Sequence, residues 1–180
     1  MNKINFFSKG KYLVIPNFKT PKVYLLVNDK TSSKLSFELY NPFSLRGKIF
    51  KKIAKFLCMY FNNYVHIFLP TVKKNRSKFI EFLEKLLNKK LSSSLYISTE
   101  KDKIVIQLLS LNKILGYIKY PLNEIGVKRL SNEKNALEIL SKKNLGPKVL
   151  ISEMFNNRNF IFLKDIPGKM GYFQKEEYYL

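Results

Sequence analysis

Ile114-Leu115-Gly116-Tyr117-Ile118-Lys119-Tyr120-Pro121 is the stretch on which the reading of this chain turns. Its isoleucines and tyrosines suit a strand, with one glycine inside and a proline at the end. Lys119 stands in the apolar part of that run, where burial costs desolvation unless a partner offsets the charge. A partner is available fourteen positions later, at Glu133 in Leu130-Ser131-Asn132-Glu133-Lys134-Asn135-Ala136-Leu137. Leu130, Leu137 and Leu140 recur at helical spacing, which predicts a helix over about 127–143 with Glu133 on or beside its inner stripe. Taken alone, Lys119 also fits a lysine that snorkels out of a strand end.

Working outward, two more strands precede this one. They are Ser94-Leu95-Tyr96-Ile97-Ser98 and Lys103-Ile104-Val105-Ile106-Gln107-Leu108-Leu109. The turns at Thr99 to Asp102 and at Leu111-Asn112 are short, so the three strands form an antiparallel meander. Asn144-Leu145-Gly146-Pro147 stops the helix. Two strands follow, Lys148 to Glu153 and Asn159 to Leu163, joined by the Asn156-Asn157 turn. Residues 91–180 are therefore expected to be one α+β unit of five antiparallel strands and one helix.

Residues 1–90 form a smaller strand-helix leader in this reading. Tyr12 to Ile15, Val23 to Val27 and Leu35 to Tyr40 are predicted strands, broken by Pro16, Pro21 and Asn28-Asp29. A helix capped by Ser44 then carries Ile49, Ile53, Phe56, Leu57 and Tyr60 on its apolar face, with Lys48, Lys51, Lys52 and Lys55 elsewhere. Such a basic amphipathic helix suits an anionic membrane surface. Packing on its own domain is the preferred reading. A second helix is expected over about 74–89.

Lysine and arginine number 33 against 13 acidic residues, a net charge of +20. That excess attracts polyanions. Lysine far outnumbers arginine, however, and Asn, Ile, Phe and Tyr abound, the bias of AT-rich coding at tolerant surface sites. Only Arg46, Arg76, Arg129 and Arg158 offer bidentate recognition, so nucleic acid is a possible partner that is not favoured. The single cysteine, Cys58, permits no disulfide within the chain and suits a reducing, cytoplasmic setting. His66, the one histidine, sits among apolar residues and reads as a packed structural side chain. No nucleophile elbow, phosphate loop or Cys/His metal cluster is present in the sequence.

Residues 93–168 resemble the amino-terminal lobe of aminoglycoside-phosphotransferase-like kinases. The similarity rests on Gly116-Tyr117-Ile118-Lys119, on Asn132-Glu133 through Leu140, on Gly146-Pro147-Lys148-Val149-Leu150, and on Phe162-Leu163-Lys164-Asp165-Ile166-Pro167-Gly168. The leader, with Leu39-Tyr40-Asn41-Pro42, resembles those of some bacterial polysaccharide or sugar kinase-like proteins. The resemblance implies a kinase-like small lobe that binds ATP, with magnesium in the parent enzyme, for phosphotransfer to a small molecule or sugar. It implies that Lys119 contacts the α- and β-phosphates and that Glu133 holds Lys119 extended. Phe162 and Leu163 would lead into the hinge, Lys164, Asp165 and Ile166 would meet the adenine edge, and Ile104 and Ile118 would pack against the base.

Two features depart from that family pattern. The turn Ser98-Thr99-Glu100-Lys101-Asp102-Lys103 has no glycine, and its two acids oppose phosphate. The sequence also holds only Asp29, Asp102 and Asp165 as aspartates, so it lacks the aspartate base and metal-binding aspartate of a large lobe. The expectation is a truncated or fragmentary phosphotransferase without a catalytic lobe of its own. The alternative is a non-catalytic basic module that binds anionic membrane or nucleic acid.

Overall fold

The structure, a computed structural model, describes residues 5–143 and 145–165. Eight strands form one antiparallel sheet: β1 (Gly10–Ile15), β2 (Val23–Leu26), β3 (Thr71–Lys74), β4 (Ser92–Ile97), β5 (Lys103–Ser110), β6 (Lys113–Pro121), β7 (Val149–Phe155) and β8 (Arg158–Lys164). Their spatial order is β3-β1-β2-β4-β5-β6-β8-β7. The helices are α1 (Lys30–Ser36), which runs into a short 3-10 turn (Phe37–Leu39), then α2 (Leu45–Tyr60), α3 (Val65–Phe68), α4 (Lys78–Leu87) and α5 (Glu124–Lys142).

The expected meander, helix and hairpin are β4 to β8 with α5. Left-handed backbone at Leu111 and Asn112, and at Asn156 and Asn157, closes the two tight hairpins as their sequences predict. The five-stranded count does not hold for the sheet, because β2 pairs with β4 (Val23↔Tyr96, Tyr24↔Leu95) and joins three leader strands to the five. Several helices cover it rather than one.

Strand alternation sorts the helices between two faces. On one face Ile104, Ile106, Ile118, Tyr120, Phe160 and Phe162 pack with Phe79, Ile80 and Leu83 of α4. On the other, Leu130 and Leu137 of α5 pack on Ile161 and Leu163, while Leu13, Ile15, Val23 and Leu25 meet Phe37, Ala54 and Cys58. α4, which belongs to the leader by sequence, thus seals the core beneath β5, β6 and β8.

Four leader expectations need correction. Leu35 to Leu39 is helical and Tyr40 ends the helical stretch, so the expected strand from Leu35 to Tyr40 does not form. Asp29, which looked like a turn residue, caps α1 through a reciprocal bond pair with Ser32, and that nucleates helix before any strand can start. Residues 71–74, in part assigned to a helix, pair with β1 as an edge strand, and the helix starts only after the Ser77 cap. α2 is capped by Ser44 as expected, but it buries Ala54 and Cys58 and leaves Ile49, Ile53, Phe56 and Tyr60 half exposed. His66 is exposed, because one-turn α3 buries only Val65.

Candidate functional site

Register brings the lysine and the glutamate together. In β6, Lys119 lies between Val105 of β5 and Ile161 of β8, and points to the face that α5 covers. α5 starts three residues earlier than its apolar spacing predicts, since Asn123 accepts the Gly126 N–H at 2.8 Å and caps it. Gly126 lets the helix start close to the β4–β5 turn: a Cβ there would collide with the Asp102 carbonyl oxygen. From that anchor, Glu133 reaches Lys119 and forms the expected ion pair.

The structure adds a second cation that the sequence reading missed. Lys103 Nζ donates to Glu133 Oε2 at 3.2 Å, while Lys119 takes Oε1. Lys103 is two residues before Val105, the cross-strand neighbour of Lys119, so it shares that face. The signal was in the sequence, but it needed the β5–β6 register to be seen. All three side chains are about one-quarter exposed, at 27%, 23% and 24% for Lys103, Lys119 and Glu133. Burial pushes the Glu133 carboxyl up, yet hydrogen bonds and charge from Lys119 and Lys103 together outweigh it and hold it below the usual range. One carboxylate for two ammonium groups leaves a net positive, water-accessible cluster, the donor set that oxyanions such as phosphate require.

The two acids of the glycine-free turn are also accounted for. Arg129 of α5 pairs with Glu100 and reaches Asp102 Oδ2 at 3.0 Å. The Ser98 hydroxyl donates to Asp102, and that bond, ahead of the opposing effect of burial, holds the carboxyl below its usual range. The negative charge expected to repel phosphate is thus partly offset by an arginine, and the turn is strapped to α5.

The remaining predicted contacts divide. Lys164 ends β8 opposite Gly116, with its N–H donating to the Lys148 carbonyl at 3.0 Å and its side chain exposed. Asp165 follows, half buried; its charge raises the Tyr117 hydroxyl pKa, after burial, the larger cause. Lys164 is three residues along the β6–β8 ladder from Ile161, the partner of Lys119, roughly 10 Å at strand rise. Ile166 lies outside the described residues. Ile104 and Ile118 do not join the site: they are 5% and 0% exposed and sit on the α4 face. Adjacent residues of a strand point to opposite faces, so Ile118 cannot share a pocket with Lys119. The lysine's own face instead carries Lys103, Val105, Tyr117, Ile161 and Leu163.

Among the described residues no group of three or more His, Cys, Asp and Glu could hold a metal ion. Asp29 is spent on a helix cap and Asp102 on Arg129, so the donor set of Lys103, Lys119 and Glu133 fits phosphate oxygens and does not fit Mg²⁺. Two clefts open elsewhere, one of about 530 Å³ between α1 and the α4–β4 loop and one of about 500 Å³ beside Tyr40, Pro42 and Phe43, and neither is lined by this trio. No family model, no curated protein and no solved structure matches this chain.

Proposed function

We propose that this chain supplies the nucleotide-binding small lobe of a kinase-like phosphotransferase acting on a small molecule or sugar. The observation that carries the reading is the Lys119–Glu133 pair, reinforced by Lys103, on the sheet face beneath α5. Lys119 and Lys103 would take phosphate oxygens, and Glu133 would keep both ammonium groups extended while the site is empty. Val105 and Tyr117 would line the base side, and the chain leaving β8 at Lys164 and Asp165 would meet the adenine edge. ATP is the ligand this arrangement supports, with magnesium entering on the nucleotide and its protein ligands in a large lobe. A cytoplasmic setting goes with that ligand and with the free Cys58.

The described residues bind and orient in this reading: the lysines hold phosphate oxygens, and no described carboxylate is positioned as base. Calorimetric titration with ATP and magnesium tests the reading. Weak binding is expected, reduced at least about tenfold by Lys119→Ala and severalfold by Lys103→Ala, as loss of a charge-assisted phosphate contact requires. Binding that ignores Lys119→Ala, or no binding to the wild-type chain, would refute it.

A further inference from the structure

α2 is apolar on two sides, and the described residues cover only one. Ala54 and Cys58 face the sheet and are fully buried. Leu45, Ile49, Ile53, Phe56 and Tyr60 remain 74%, 50%, 55%, 54% and 57% exposed. At roughly 100° per residue these five fall within an arc of about 80°, a continuous stripe along four turns. The stripe runs on beyond the helix: the Phe56 ring lies 5.1 Å from Tyr60 and 5.9 Å from Phe61, and Tyr64, Ile67 and Phe68 follow, each over 60% exposed. An exposed apolar surface of this extent marks an interaction face.

Its charge says what it meets. Arg46, Lys48 and Lys52 are exposed beside the stripe. Between Glu38 and Glu81 the sequence has no acidic residue at all. A second copy of this chain is a poor occupant, since a two-fold contact would set these cations against themselves. A surface that is apolar beneath and anionic above satisfies both halves of the face. Aromatic and aliphatic side chains would enter the acyl boundary, and lysines would stay at headgroup level. No helix of the described residues is long and apolar enough to cross a membrane, so the fitting mode is lateral.

We propose that the α2–α3 face docks the protein on an anionic lipid surface. This goes beyond the nucleotide reading and does not depend on it. Co-sedimentation with phosphatidylcholine vesicles, with and without phosphatidylglycerol, provides the test. Binding is expected only when the anionic lipid is present. Both Ile53→Asp/Phe56→Asp and Lys48→Glu/Lys52→Glu should weaken it at least about tenfold, while the charge-matched Lys142→Glu/Lys143→Glu pair at the end of α5 changes it by less than about twofold. Far-UV circular dichroism checks that each variant stays folded; all six positions are exposed. Because the chain has no tryptophan, Tyr60→Trp gives an independent probe, whose indole emission should shift blue on anionic vesicles and be quenched by brominated acyl chains. The proposal is overturned by absent vesicle binding, by binding that survives Ile53→Asp/Phe56→Asp and so reflects net charge alone, or by unshifted emission from the Tyr60→Trp variant. Sedimentation equilibrium that finds a dimer dispersed by the same apolar substitutions would overturn it in favour of self-association.

Discussion

Glu133 stands between two ammonium groups, and its removal would leave Lys103 and Lys119 facing each other without a counter-charge. Because the trio is only partly buried, Glu133→Ala is expected to cost roughly 1–2 kcal/mol, between an exposed and a fully buried pair. Urea denaturation at neutral pH would read this loss, and a phosphate-containing buffer should recover part of it. The sign of the pH dependence follows from the lowered carboxyl. A group held below its usual range in the fold, but not in the unfolded chain, adds stability at neutral pH that is lost as pH falls through its lowered value. Wild type should therefore lose stability below about pH 4, and Glu133→Gln should lose less over the same range. Cys58 supplies a second residue-scale expectation. Burial pushes its thiol up to about 12, outweighing the charge of Lys11. Alkylation at pH 8 should be negligible in the native protein and complete in urea. Of these residues, Lys119, Glu133 and Cys58 were legible in the sequence because each is odd in its own segment. Lys103 and Arg129 were not, since a lysine at a strand start and an arginine on a helix look like ordinary surface until register names their neighbours.

Elements were legible where local signals agreed. β4 to β8 have apolar runs bounded by tight turns, and their sequence limits lie within about two residues of the observed ones. Errors arose where one signal served two purposes. Asp29 could open a turn or cap a helix, and Ile125-Gly126 could end a loop or begin α5. Gly116 shows an element-level constraint that the sequence marked without explaining. Its φ is +151°, and a Cβ there would collide with the Leu163 carbonyl oxygen, where β6 meets β8. Gly116→Ala should destabilise the fold by about 2 kcal/mol, as a side chain forced into such backbone does. The same change should weaken nucleotide binding, because it shifts β8 just before Lys164. Thermal melts read the first effect and ATP titration the second.

At the scale of the whole molecule, the β2–β4 pairing and α4 tie the leader to the five-stranded part. Leu95 sits at that junction, 1% exposed, opposite Tyr24 and within the cluster that α4 completes. Leu95→Ala is expected to cost about 2–5 kcal/mol. The loss should appear as faster hydrogen exchange in β1 and in β8 alike; acceleration confined to one part would mean that the two open independently. The amino-acid sequence by itself determined an α+β chain with antiparallel strands, the Ser44 cap of α2, and the lysine and glutamate worth pairing. Those features are local, written in period, turn residues and desolvation cost. Tertiary structure alone decided that eight strands share one sheet, that Lys103 and Arg129 complete the charged cluster, and which side of α2 stays uncovered. Each of those depends on which strand lies beside which, and pairing between distant segments leaves no mark in either segment read alone.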